Sequence, residues 1–139
     1  IDVEGSLDPG REVRVWASCA AAGAKAPVGA ITLIVLNTQS ETATFDVQRS
    51  AASGGGSLLG RGWDEYLLTA GDAAAGLSSH TVALNGGAPL GVVDPSGSDP
   101  KLPPLTAKEM SGGASITIPG LSFAFYVLKH AAAKACRGA

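Results

Sequence analysis

The chain has 139 residues, 45% of them hydrophobic and 16% charged, so it can fold around a core and global disorder is excluded. Its net charge of −2 gives no basic surface for nucleic acid. The longest apolar run, residues 30–36, is far shorter than the roughly 20 residues of a transmembrane helix, so we expect no transmembrane segment. No signal peptide is visible, so we expect a processed piece or a fragment.

The first half of the chain predicts short strands. Residues 12–19 alternate in polarity and predict a half-buried strand, with Cys19 on the core side and Trp16 on the other side. The branched apolar run at 31–36 predicts a central strand that is covered on both faces. Residues 42–47 alternate again, and we expect them to pair with 31–36 as a hairpin.

A glycine- and serine-rich stretch at 50–57 predicts a linker or a mobile loop, since it lacks the ending of a phosphate-binding loop. Residues 63–69 then predict a strand with aromatic anchors. Residues 81–84 predict another strand, ended by the tight-turn residues 85–87. Residues 90–93 are expected to be its return strand.

Residues 94–110 contain four prolines and predict a loop that is neither strand nor helix. Residues 115–118 and 121–128 predict two final strands, the second of which is the most aromatic segment of the chain. The alanine-rich tail at 131–135 is compatible with a helical turn or with a strand that continues to Cys136.

About eight strands separated by turns predict an all-β fold, an antiparallel two-sheet β-sandwich forming a single domain over residues 1–139. The two cysteines, Cys19 and Cys136, are either free and buried or joined in a disulfide, which would require an oxidising compartment. Neither His80 nor His130 has metal-ligand spacing to them. We therefore expect no metal site and no cofactor.

The acidic residues do not predict a glycosidase active site, which needs two convergent carboxylates. Asp64 and Glu65 are neighbours on a predicted strand and point to opposite faces. Asp94, Asp99 and Glu109 lie in the proline-rich segment, and nothing in the sequence places any two acids together. No Gly-x-Ser-x-Gly elbow accompanies the histidines. We expect no catalytic residues, and hence a chain that is inactive by itself.

The aromatic side chains suggest two alternatives. They form a platform for sugars, or they pack in the core and against a partner. Trp16 is the best candidate for an exposed aromatic, because it lies opposite the core face of its strand. Trp63 and Tyr66 complete our set of candidate interface or sugar-contact residues. The full aromatic group considered comprises Trp16, Trp63, Tyr66, Phe123, Phe125 and Tyr126.

Short motifs occur in series along nearly the whole chain. They are Arg-Glu-Val-Arg-Val-Trp-Ala-Ser-Cys at 11–19, Gly-Ala-Ile-Thr-Leu at 29–33 followed by Asn37, Trp-Asp-Glu-Tyr-Leu-Leu at 63–68, Val-Ala-Leu-Asn-Gly at 82–86, Leu-Pro-Pro-Leu at 102–105, Ile-Pro-Gly-Leu-Ser-Phe-Ala-Phe-Tyr-Val at 118–127 and Ala-Cys at 135–136. In this order they resemble the C-terminal domain of the heparanase-type enzymes, glycoside hydrolase family 79. The alanine- and glycine-rich stretches between them resemble plant members of that family.

The resemblance implies a β-sandwich docked on a (β/α)8 barrel, whose strands carry the catalytic acid/base and nucleophile and are not in this chain. It implies a disulfide between Cys19 and Cys136. It also implies a parent endo-β-glucuronidase that acts on glucuronide-containing polysaccharide or proteoglycan. The implied location is extracellular, lysosomal or vacuolar, with any membrane association made through the parent protein.

From the sequence we therefore expect a non-catalytic domain that packs on and supports a glycosidase barrel. The alternative is a carbohydrate-binding or protein-interaction module. A binding module for polysaccharide needs exposed, coplanar aromatic rings, whereas a docking domain needs a broad apolar face.

Overall fold

The structure, a computed structural model, describes residues 12–21, 26–49, 54–91 and 101–137. It contains eight strands: β1 (Val13–Cys19), β2 (Ile31–Asn37), β3 (Ala43–Phe45), β4 (Trp63–Ala70), β5 (Val82–Leu84), β6 (Lys108–Met110), β7 (Ile116–Ile118) and β8 (Ser122–Leu128). Two 3₁₀ turns, Gly76–Ser78 and Lys134–Cys136, are the helical elements of the described residues. The predicted all-β class is confirmed. Within these ranges, no helix has the length and apolar character needed to cross a membrane.

The strands form two antiparallel sheets. The large sheet has the order β1-β2-β8-β4-β5, and β6 pairs with the start of β4, beside the β5 pairing at its end. The small sheet consists of β3 and β7. The first and last long strands thus lie close together, with β2 between β1 and β8.

The core lies between the small sheet and one face of the large sheet, which we call the inner face. Period-two alternation places Ile31, Leu33 and Val35 of β2 on this face, and each is at most 1% exposed. They pack with small-sheet residues such as Phe45 and Ile118 in one contiguous cluster. Burial of these branched and aromatic side chains is the main force that holds the two sheets together.

The turn between β7 and β8 is fixed by a buried amide. Asn37, at the end of β2, donates from Nδ2 to the carbonyl oxygens of Glu41 at 2.9 Å and Pro119 at 3.0 Å. The backbone here is so close that a Cβ at Gly120 would collide with the carbonyl oxygen of Ser40. Asn37 and Gly120, which both belong to the sequence motifs described above, therefore help to join the small sheet to the large sheet.

Cys19 and Cys136 form a disulfide, with their Cα atoms 5.4 Å apart. Cys136 packs against the core cluster, whereas Cys19, predicted on the covered side of its strand, is exposed. The reason is that β1 is an edge strand and only its beginning, at Val13 and Val15, packs on the core. The bond fastens this edge strand to the tail that follows β8.

Two predictions about the strands are wrong. β3 pairs with β7 and not with β2, because both sides of β2 are already occupied by β1 and β8. The segment 94–110 is not wholly a loop, since its last three residues form β6 on the free edge of β4. That pairing depends on β4, a partner more than 35 residues away, and the local sequence carries no strand signal.

Other predictions concern residues that are described only in part. Residues 50–53 of the predicted mobile loop, and residues 92–100, which include Asp94 and Asp99, lie outside the described residues. Within the predicted return strand only residues 90 and 91 are described. They are not in a strand, although Leu90 N–H donates to Val82 O at 2.7 Å. The tail forms a 3₁₀ turn at Lys134–Cys136, one of the two alternatives.

Candidate interaction surface on the large sheet

The second face of the large sheet, which we call the open face, is apolar but is not covered by any described strand. The small sheet packs on the inner face, and the open-face side chains are absent from the core cluster and its packed neighbours. Trp16 is 48% exposed and Val82 is 41% exposed. The open face is defined by Trp16, Ile34, Leu36, Tyr66, Leu68, Val82, Leu84, Phe123 and Phe125.

The strand register arranges these side chains in two rows, because directly opposed residues of antiparallel strands share a face. In one row Trp16, Ile34, Phe125 and Tyr66 are successive partners across β1, β2, β8 and β4. In the second row Leu36, Phe123, Leu68 and Leu84 are successive partners across β2, β8, β4 and β5. The rows cross nearly the full width of the sheet.

At one end the open face is bounded by charges. Lys129, just after β8, lies 2.7 Å from a carboxylate oxygen of Asp64 and 4.0 Å from one of Glu109. The hydrogen bond to Asp64 is the main reason that the pKa of Lys129 is raised. The expectation that no two acids lie together is wrong for this pair, since Asp64 and Glu109 are register partners. Because they share one ammonium group, the arrangement is an ion-pair network that holds β6 on β4.

The two phenyl rings of the open face are not coplanar. Phe123 and Phe125 are in edge-to-face contact, with centroids 4.9 Å apart and planes at 80°. This packing is favourable between phenyl rings but does not produce a continuous flat surface. A sugar platform needs such a surface, so the geometry fits an apolar docking face better.

A shallow apolar recess of about 180 Å³ lies beside the second row. Leu68, Val82 and Phe123 line it, together with Leu77 of the first 3₁₀ turn, which is 57% exposed. The recess is suited to an apolar side chain from a partner, because its lining is mainly hydrophobic.

The three aromatic residues singled out in the sequence lie in different places. Trp16 and Tyr66 belong to the same row of the open face. Trp63 is 7% exposed on the inner face, where it is part of the core cluster and takes no part in the open face. Ile34, Leu36 and Leu68 were not chosen from the sequence. For Ile34 and Leu36 the signal is the continuous apolar run at 31–36, which predicts a central strand covered on both faces. That prediction is wrong for the open face, which no described strand covers.

The inner face contains polar groups next to β6. Glu65 and Tyr126 are register partners, and Glu65 lies 3.7 Å from Lys108 Nζ. Burial, and then the negative charge of Glu65, raise the pKa of Tyr126. The Tyr126 hydroxyl and the Trp63 indole N–H have no hydrogen-bond partner among the described residues. Asp64 and Glu65 thus lie on opposite faces, as their adjacency predicts.

Asn85 ties the proline-rich segment to β4. Its Oδ1 accepts a hydrogen bond from the Leu67 N–H at 2.8 Å, and its Nδ2 donates to the carbonyl oxygens of Glu65 and Thr106. Asn85 and Gly86 both have positive φ, as a type I′ turn requires. Asn-Gly therefore serves as a turn and as a tether. In the described ranges, no group of three His, Cys, Asp or Glu side chains is placed to hold a metal ion.

Comparison with known proteins identifies distant relatives. No protein-family model matches the sequence. Inactive heparanase-2 of Mus musculus and of Homo sapiens is 34% identical over 109 residues, which are 78% of this chain and 16% of that protein. Heparanase of Mus musculus is 33% identical over 108 residues, 78% of this chain and 18% of that protein. The chain spans less than a fifth of the length of these relatives. Over most of its own length, the chain is a distant homologue of heparanase and heparanase-2.

Proposed function

We propose that this chain is the C-terminal β-sandwich domain of a heparanase-like protein of glycoside hydrolase family 79. Its open face packs against the (β/α)8 barrel of the parent protein and supports that barrel. The barrel supplies the catalytic carboxylates, which act on glucuronide-containing polysaccharide or proteoglycan. The chain itself, a single domain, contributes no catalytic residue.

The observation that supports this proposal most strongly is the open face itself. Two rows of apolar side chains cross the large sheet, and Trp16 and Val82 remain 48% and 41% exposed. Soluble monomers seldom leave a contiguous apolar surface of this kind in water. A fixed partner within the same protein would bury it.

The edges of the open face also fit a docking surface. The Lys129 network lies at one end of the rows, and Arg14, the register partner of Leu36, lies on edge strand β1. An apolar centre with a polar rim is the usual anatomy of a protein–protein interface. The partial coverage of the relatives is compatible with a partner that lies elsewhere in the same protein.

The alternative, a carbohydrate-binding or protein-interaction module, is less well supported. Trp16 and Tyr66 stand on strands that are separated by two others, which places them roughly 14 Å apart across the sheet. Ile34 and Phe125 fill the space between them. Rings so far apart, with an aliphatic side chain between them, do not form one stacking platform.

The proposal includes a secretory route, because a disulfide persists in oxidising compartments. Extracellular space, lysosome and vacuole all satisfy this condition. A plant source is also part of the proposal, and its support is the alanine- and glycine-rich composition around the motifs.

The test compares thiol accessibility in the isolated chain and in the full-length parent protein. Val82→Cys and Trp16→Cys place single thiols on the open face. Thr44→Cys and Thr117→Cys place matched thiols at exposed positions of the small sheet. In the described residues no cysteine is free, so background labelling within this domain is low. Maleimide labelling is read at each position by peptide mass spectrometry.

We expect the two open-face thiols to react at least about tenfold more slowly in the full-length protein than in the isolated chain, because a docked interface excludes the reagent. The small-sheet thiols should react equally in both. Docking through the open face would be refuted if each of the four thiols reacted at the same rate in the full-length protein as in the isolated chain. Protection of Val82→Cys in the isolated chain by a glucuronic acid polysaccharide, without protection in the full-length protein, would instead support the carbohydrate-binding alternative, because this variant keeps Trp16 and Tyr66.

A further inference from the structure

A second recess lies between residues 55–61, together with Arg49, and the residues that follow β8. Its volume is about 340 Å³, within the range of small-molecule sites. Two arginines and a histidine line it: Arg49, Arg61 and His130. None of the described residues in its lining is acidic.

Arg49 is held in place by the backbone. Its Nη2 atom donates to the carbonyl oxygens of His130 at 3.4 Å and Ala131 at 3.3 Å. The backbone that carries it is joined to residues 56–58 by hydrogen bonds from Arg49 N–H to Gly56 O and from Leu58 N–H to Val47 O. The guanidinium group is therefore positioned before any ligand arrives, and it has no carboxylate partner among the described residues.

Arg61 has no counter-charge among the described residues. It makes no side-chain hydrogen bond or ion pair with the described residues. Asp64 and Glu109 line a neighbouring recess together with Arg61, but both are paired with Lys129. The described lining of the second recess therefore carries net positive charge, since it contains Arg49 and Arg61 and no acidic residue.

The rest of the lining adds donors and space. The Ser57 hydroxyl accepts from the Leu59 N–H at 3.1 Å, which leaves its hydrogen free to be donated. His130 supplies at least one ring N–H. A Cβ at Gly55 or Gly60 would meet no atom within 4 Å, so the glycines leave the walls open.

We propose that this recess binds an oxyanion, the group shared by carboxylates, sulfates and phosphates. Two guanidinium groups present planar N–H pairs that match the oxygens of such groups, and Arg is the residue best suited to this recognition. A bound oxyanion supplies the missing counter-charge for Arg49 and Arg61 and accepts from Ser57 and His130. The site does not depend on the open face, so either proposal can fail without the other.

The test is isothermal titration of the 139-residue chain with sodium sulfate, sodium phosphate and sodium glucuronate, each at constant ionic strength maintained with sodium chloride. We expect saturable binding of at least one anion. In a second series at higher sodium chloride concentration the affinity should fall, because salt screens exposed charges. Preference for sulfate and phosphate assigns a tetrahedral oxyanion, and preference for glucuronate assigns a carboxylate. Absence of saturable binding for all three overturns the proposal.

Two variants locate the site. Arg61→Gln should weaken binding about tenfold or more, because it removes hydrogen bonds to a charged group, while Arg61→Lys should retain part of the affinity. Arg14→Gln, on β1, is the control with the same loss of charge. Equal weakening by Arg61→Gln and Arg14→Gln would show a non-specific charge effect and would overturn the assigned site.

A second pair of variants tests the same site by adding charge. Gly60→Asp introduces a carboxylate into the lining, and Gly91→Asp is the matched control outside it. Both positions have space for a Cβ and neither has a positive φ. We expect Gly60→Asp to abolish saturable anion binding and Gly91→Asp to leave it unchanged. Unaltered binding in Gly60→Asp, with circular dichroism showing a folded chain, would exclude the recess.

Discussion

The two faces of the large sheet are built from the same strands but have different surroundings. On β2 the inner-face residues Ile31, Leu33 and Val35 are fully buried, whereas Ile34 and Leu36 on the open face are half-buried. Both sets are apolar, so composition does not distinguish them. An apolar residue in a strand therefore does not by itself distinguish a buried core face from a partly exposed face of the same sheet.

Loss of the disulfide should have the largest effect on stability. The bond holds the tail, and the tail residues Ala131 and Ala133 belong to the core cluster of the inner face. Replacing both cysteines by serine should lower the free energy of unfolding by about 4–5 kcal/mol on the chain-entropy account, given a sequence separation of 117 residues. Urea unfolding of the variant and the wild type measures this difference. A loss below about 1 kcal/mol would contradict the stabilising role.

A matched pair on one strand compares the faces directly. Leu33→Ala should lower the free energy of unfolding by about 2–5 kcal/mol, because a cavity remains in the closed core. Leu36→Ala should cost about 1 kcal/mol or less in the isolated chain, since water already reaches this face. Equal losses in chemical denaturation would mean that the open face is covered within the chain.

Tyr126→Phe tests the inner face by pH. At pH 7 the variant should lie within about 1 kcal/mol of the wild type, because the lost hydroxyl has no partner among the described residues. The pKa of Tyr126 is raised in the folded state, so the folded protein holds its proton longer than the unfolded chain does. The stability of the wild type should therefore fall above about pH 10, where the unfolded chain ionises.

The matched control for that experiment is Tyr66→Phe, which removes a hydroxyl from the open face. Unfolding is followed by tryptophan fluorescence between pH 7 and pH 11. If Tyr126→Phe loses as much stability as the wild type over this range, another group causes the alkaline effect.

The smallest expected effect concerns the charged end of the open face. Lys129→Met should lower the free energy of unfolding by less than about 1 kcal/mol, because the ion pair with Asp64 is partly exposed. The pKa of Lys129 is raised in the folded state. The stabilisation from its ion pair is therefore present at neutral pH and is lost as the pH rises through the raised pKa. A decrease of more than about 2 kcal/mol in the free energy of unfolding at low salt would contradict this small contribution.

The strands whose bounds the sequence predicts well have a local signal, which is alternation in β1, a branched apolar run in β2 and aromatic residues in β4 and β8. β1, β4 and β8 were expected within two residues of their observed bounds, since side-chain periodicity is a local property. The pairing of Cys19 with Cys136 follows from the resemblance and not from composition, because the two cysteines alone leave free thiols as an alternative.

The predictions that were wrong or absent depend on non-local pairing. The partner of β3 is decided by the occupancy of β2, and β6 exists because β4 offers a free edge. The open face required the register of five strands before its two rows could be recognised. The oxyanion recess likewise brings Arg49 and Arg61 together with a residue about 70 positions further along, and no spacing in the sequence signals this.

The Cys19–Cys136 bond also changes how the molecule responds to proteases. It closes a covalent ring of backbone that contains every strand after the first. A single peptide-bond cleavage anywhere inside that ring opens it without releasing either piece, and the paired strands keep the two pieces in register. A nicked molecule would therefore migrate as an intact chain on a non-reducing gel and separate into two fragments only after reduction.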